Sequence, residues 1–88
     1  MNRFLAEFLG TLFFLYVVIA TESAIAMGAA FAVAILVLGR YTHAGFNPAI
    51  SVMLVAAGKL PTGDLLPDVL AQCTAGLVAL ELYRHIKV

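Results

Sequence analysis

"GFNPAISVMLVAAGKLP", Gly45–Pro61, is apolar enough to lie in a membrane, yet Asn47 and Pro48 stand near its head and Gly58-Lys59 near its close. Asparagine is among the best helix N-caps. Proline is disfavoured inside a helix and fits its first turn. Glycine commonly follows a helix end. The stretch therefore reads as a helix over 48–57, capped by Asn47, opened by Pro48 and stopped at Gly58. At 1.5 Å per residue such a helix is about 15 Å long, half of a hydrocarbon core of about 30 Å. It is long enough to reach the middle of a bilayer and too short to cross it.

The flanking sequence makes a bilayer the natural solvent. Hydrophobic residues are 64% of the 88 and charged residues 11%, against about 45–50% and about 25% in soluble domains. A globule of this size has too little interior to hide so much apolar surface. Three runs, roughly 4–21, 24–40 and 65–83, reach the lower end of the length needed to span, about 17–25 residues. Thr21-Glu22-Ser23 reads as a short connector, and "KLPTGD" (Lys59–Asp64) as a turn by its Pro, Gly and Asp content. An interfacial helix in place of the half-length one would need a strongly charged face, and none precedes Lys59. The expectation is an all-α membrane protein in one domain, 1–88, with three transmembrane helices plus one re-entrant half-helix.

Several function classes fall away. The formal net charge is zero and no basic cluster occurs, which speaks against nucleic acid. The single Cys73 excludes an internal disulfide and a zinc knuckle, and it reads as a small residue buried in a helix. No Ser/His/Asp or Cys/His set suggests an enzyme, and no cofactor or metal is implied. Asp64 and Asp68 sit beside the turn and read as helix N-terminal charges. The first 26 residues have a basic start and an Ala24-x-Ala26 pair, but Glu7 inside the apolar run argues against a cleaved signal peptide.

A half-helix at mid-membrane depth has a chemical consequence. Its N-terminus carries unpaired N–H groups and a partial charge near +0.5 e. Held where water screens little, that charge opposes cations. The Asn47 side chain adds amide donors, so a water there turns its oxygen toward the tip and a proton-hopping wire is disfavoured. Irregular backbone at that depth must be buried in protein or line a wet cavity. One half-helix reaches the middle from one face only. A second must come from the other face, as in inverted-repeat transporters.

These residues resemble the aquaporin (major intrinsic protein) family. The match lies in "AEFLGT" (Ala6–Thr11), "FNPAIS" (Phe46–Ser51), "AAGKLP" (Ala56–Pro61) and "LAQ" with Gly76 (Leu70–Gly76). It covers nearly the whole chain but the first half of a family member, so the chain looks like one inverted-repeat half of an aquaporin-like bundle. The resemblance implies Asn47, Pro48 and Ala49 as the pore signature. It implies Glu7 as the buried carboxylate of the first helix that supports the loop, with Gln72 as the third-helix glutamine. Glu7 fits this independently, because an intramembrane carboxylate should face protein and find donors. Gly10, Gly28 and Gly76 resemble close helix-packing positions.

The sequence also departs from the family pattern. The histidine ahead of the signature is displaced, in Thr42-His43-Ala44-Gly45, which leaves His43 as a vestibule residue, a loop-capping residue or a pH gate. Filter-like positions fall on Met27, Ile35, Ala44 and Ile50, all apolar, and the position after Asn-Pro-Ala is Ile50 where the family's second half has an arginine. A filter of that kind suits small neutral solutes such as glycerol as well as water, with proton exclusion left to the half-helices. Ordinary helix packing is the competing reading of Met27 and Ile35.

Three spans and one re-entrant loop put Arg3, Arg40 and Lys59 on one face and Arg84 and Lys87 on the other. That near-balance permits insertion in both orientations. The partners expected are membrane lipid, a solute in transit and a second, inverted copy in an antiparallel homodimer, with a tetramer of such pairs beyond it. The plasma (inner) membrane is the expected location. The competing functions are a half-channel with a different partner chain, a small holin-like membrane oligomer, and a gene fragment without function.

Overall fold

The computed structural model describes residues 1–43 and 45–86. Among these, all regular structure is helical: α1 (Arg3–Thr21), α2 (Ala24–Leu38), α3 (Pro48–Ala56) and α4 (Leu65–Ile86), with a 3-10 turn at Thr62–Asp64 leading into α4. Local chemistry sets the boundaries. Asn2 caps α1 by accepting from the N–H groups of Phe4 and Leu5, and Ser23 caps α2 by accepting from Ala26. Between them Glu22 takes a left-handed conformation (φ 53°) and closes α1 through its N–H to the carbonyl of Val18. Pro67 falls in the first turn of α4, where its missing N–H costs no helical bond.

Two helical segments, Arg3–Thr21 and Thr62–Ile86, are long and apolar enough to cross a membrane. The middle segment, expected to run to residue 40, stops at Leu38; its 15 residues make about 22 Å of helix. Gly39 ends it, with a turn donating from the N–H of Thr42 to Leu38 carbonyl oxygen.

The distribution of side chains is the reverse of a soluble fold. The fully buried apolar residues are chiefly alanines (Ala6, Ala30, Ala34, Ala75 and Ala79, with Phe46), and the buried polar ones include Glu7, Thr11, Asp68 and Gln72. Large apolar residues face outward: Ile25 is 84% exposed, Leu36 82% and Leu77 68%. In water that surface would drive aggregation. In lipid it is solvated, and small residues inside let helix backbones approach. The α-helical content and this outward apolar surface are those of an all-α integral membrane protein.

Helices α1 and α4 form the spine. They run parallel and in register: Arg3 meets Asp68, Glu7 meets Gln72, and Gly76 lies where an added Cβ would stand 3.2 Å from Leu15. Helix α2 packs on α1, where the rings of Phe14 and Phe31 lie 5.2 Å apart, and α3 packs on α4. Helices α2 and α3 make no comparable contact with each other, so the side between them is open. Cys73 is exposed on α4, not buried as its size suggested. Asp64 and Asp68 do more than complement a helix terminus, since both pair with Arg3 across the spine.

Candidate functional site: a helix tip held by a buried carboxylate

The half-length helix forms as its sequence requires. Asn47 is its N-cap and its Oδ1 accepts from the N–H of Ala49 at 2.8 Å; Pro48 opens it, and Gly58 follows it with φ 76°. The helix spans nine residues, ending at Ala56, one residue before expectation. With Oδ1 engaged, the amide NH2 of Asn47 is the part of that side chain left to meet a solute. Ala49 beside it is exposed, as a small tip residue should be.

What holds this tip is a single carboxylate. Glu7 is fully buried. Its Oε2 accepts from the Thr42 hydroxyl at 2.8 Å, and its Oε1 accepts from the N–H of Phe46 at 2.6 Å and from Nε2 of Gln72 at 2.7 Å. The same Gln72 nitrogen donates to Oγ of Ser51, on α3, at 2.7 Å. One network thus ties α1, the loop before the tip, α3 and α4 together. Glu7 and Gln72, which the resemblance implies as loop support, both take part in this network. Thr42, Phe46 and Ser51 were not assigned roles from sequence, although Ser51 is the one hydroxyl on an otherwise apolar helix and was legible as such.

The loop's path carries backbone strain. Gly45 (φ 87°) and Phe46 (φ 58°) are both left-handed; for a bulky residue that is an outlier costing about 1–2 kcal/mol. Phe46 stays there because its N–H is on Glu7 and its ring fills the space over Gly10, where an added Cβ would overlap it. Gly10 therefore makes room for the loop, not for another helix. A Cβ added at Gly28, by contrast, would meet nothing within 4 Å among the described residues. At Gly45 an added Cβ would collide with the side chain of Ile50. Gly45→Ala is expected to destabilise by about 1–3 kcal/mol through strain and overlap together, read as a lower unfolding temperature of the purified protein in detergent; unchanged unfolding would contradict this loop geometry.

The filter-like positions divide. Ile35, His43 and Gly45 line one pocket of ≈190 Å³ together with Gly39, Thr42 and Phe46, and Ile50 packs against Gly45 beside it. Ile35 is 44% exposed, so its side chain is available to that space. Met27 does not line the pocket; it stands two helical turns from Ile35, about 12 Å along α2. Ala44 lies outside the described residues. His43 is exposed at the pocket's rim.

Comparison with known proteins gives several similarities, two of which follow. The chain is 42% identical over 45 residues to Aquaporin Z of Bradyrhizobium diazoefficiens, covering 51% of this chain and 19% of that protein. It is 33% identical over 88 residues to glycerol uptake facilitator protein-like 6 of Lactiplantibacillus plantarum, covering 90% of this chain and 41% of that protein. The chain thus spans less than half the length of either relative. No family model matches it, and no solved structure does. These similarities support the aquaporin, or major intrinsic protein, family.

Proposed function

We propose that two copies of this chain, inserted in opposite orientations, pair into a passive transmembrane channel for water and small neutral solutes such as glycerol. The observation that carries this reading is the half-length α3, whose Asn47-capped end is held among the other helices by Glu7 and Gln72. The loop before it meets α1 at Glu7 and Gly10, about 6–11 Å along that helix. In the proposed topology α1, α2 and α4 span and α3 re-enters. Such a half-helix lines half of a path, and the open side between α2 and α3 is where an inverted copy would bring the other half.

The lining follows from the same residues. Asn47 of each copy offers amide donors to a solute oxygen, and the two helix N-termini oppose cations. Ile35 and Ile50 make the mouth apolar. A polyol passes such a mouth with its carbons against isoleucine and its hydroxyls on the amide. The names of the two relatives, one an aquaporin and one a glycerol uptake facilitator, fit that pair of solutes.

Asn47→Asp tests the tip. A unit charge about 4 Å from a permeating ion contributes about 4 kcal/mol at an effective dielectric near 20. Cation leak through proteoliposomes is therefore expected to rise at least about tenfold, with a changed glycerol-to-water ratio. If ion leak and both permeabilities match the wild type, Asn47 does not face the path. The limited coverage of the relatives favours one alternative, in which a half of different sequence supplies the second tip and the filter arginine.

A further inference from the structure

We propose that Asp68 carries a proton on Oδ1 and donates it to Oε1 of Gln72, which makes this acid a positioning residue for the α3 tip. Charge balance is the first ground. The Arg3 guanidinium is shared: Nη1 pairs with Asp64 and Nη2 lies 2.9 Å from Oδ2 of Asp68. One cation faces two carboxylates, and Glu7 places a third acid one turn further along α1. Two carboxylates that share a site do not both ionise readily, and burial selects the one that stays neutral. The Asp68 side chain is 0% exposed, whereas that of Asp64 is 29% exposed.

Hydrogen bonding leads to the same atom by a separate route. Among the described residues, Oδ1 of Asp68 and Oε1 of Gln72 are buried without a hydrogen-bond partner, as are Oγ1 of Thr11 and, its ion pair with Asp64 aside, Nη1 of Arg3. The first two belong to residues four apart on one face of α4, where side chains are neighbours with Cβ atoms about 5–6 Å apart. Both oxygens are acceptors, so an ionised Asp68 would leave two orphans on one face of α4. Rotating the Gln72 amide is no remedy. Its nitrogen is committed to both Glu7 and Ser51, and a flip would set its oxygen against the Glu7 carboxylate. A proton on Oδ1 supplies the missing donor, satisfies both oxygens and leaves Arg3 balanced by Asp64.

The charged groups that face Asp68 are Arg3 and Glu7 from α1 and Asp64 from the turn before α4. Helices α2 and α3 carry no charged residue. Neutral Asp68 holds the Gln72 oxygen and so keeps the amide on Glu7 and Ser51. Ionised Asp68 would repel that oxygen and loosen the tip. That this tip is a pore element rests on the proposed function; the proton itself does not.

The test is an infrared spectrum of the full chain in lipid membranes, with its two aspartates, Asp64 and Asp68, labelled with 13C at the side-chain carboxyl. The expected result at neutral pH is an isotope-shifted carbonyl band of a protonated carboxyl, lost in Asp68→Asn and retained in Asp64→Asn. Asp68→Asn, which keeps a donor for Gln72, should preserve the hydrogen-exchange protection of the Phe46 amide, and Asp68→Leu should lose it. A folded wild type showing only ionised aspartate, or a band that survives Asp68→Asn, would overturn the proposal and leave water or a cation to meet the two oxygens. Neither measurement needs permeation, so the proton assignment stands or falls even in a chain that conducts nothing.

Discussion

Glu7→Leu is expected to cost at least about 3 kcal/mol, because three buried donors lose an acceptor at about 1–3 kcal/mol each. The loss follows from what the carboxylate does. Three donors, from Thr42, Phe46 and Gln72, share it as their acceptor. Hydrogen bonds to a charged group are worth about 1.5–3 kcal/mol each, and a buried N–H left unpaired costs about 1–3 kcal/mol. Phe46 is the sensitive point, because its left-handed backbone is held partly by that bond. Glu7→Gln should fall between wild type and leucine, since one oxygen survives while an NH2 is turned on groups that are themselves donors. Thermal unfolding in detergent, with hydrogen exchange of the Phe46 amide, measures both. Equal stability and equal protection in Glu7→Leu would mean the loop is held by something else.

Gly10→Ala comes second, and its sign separates two effects. Helix propensity alone predicts a gain of about 1 kcal/mol for alanine over glycine inside α1. The structure predicts a net loss, because the new methyl would overlap the Phe46 ring and overpacking costs about 1–3 kcal/mol; Gly10→Leu should be worse. Trimming the ring in Gly10→Ala/Phe46→Ala should recover part of the loss, as non-additivity between contacting residues. A stabilised Gly10→Ala would place Phe46 elsewhere.

How much of this could be read from the residues differs by element. The half-helix was legible because Asn47, Pro48 and Gly58 each act locally, through capping, a fixed φ and a left-handed stop. Glu7 and Gln72 were legible through the family resemblance, and the structure adds the atoms they share. The Arg3–Asp68 rung was not, although Arg3/Glu7 and Asp68/Gln72 have the same four-residue spacing. Spacing within a helix says which residues share a face, not which helix that face meets. Nor does the sequence tell that Gly10 accommodates a ring from the loop, since an approach between segments 36 residues apart leaves no local mark. Cys73 departs from expectation because small size suggests burial in water, whereas in lipid the exposed face accepts small and large apolar residues alike.

The two-copy channel requires that this chain alone build a path for small neutral solutes. The decisive experiment is stopped-flow light scattering of liposomes that contain only the purified chain, for water and for glycerol. Permeation of both should run well above that of protein-free vesicles. Permeation no faster than that of empty vesicles, from chain shown to be folded and inserted in both orientations, would rule out the two-copy channel.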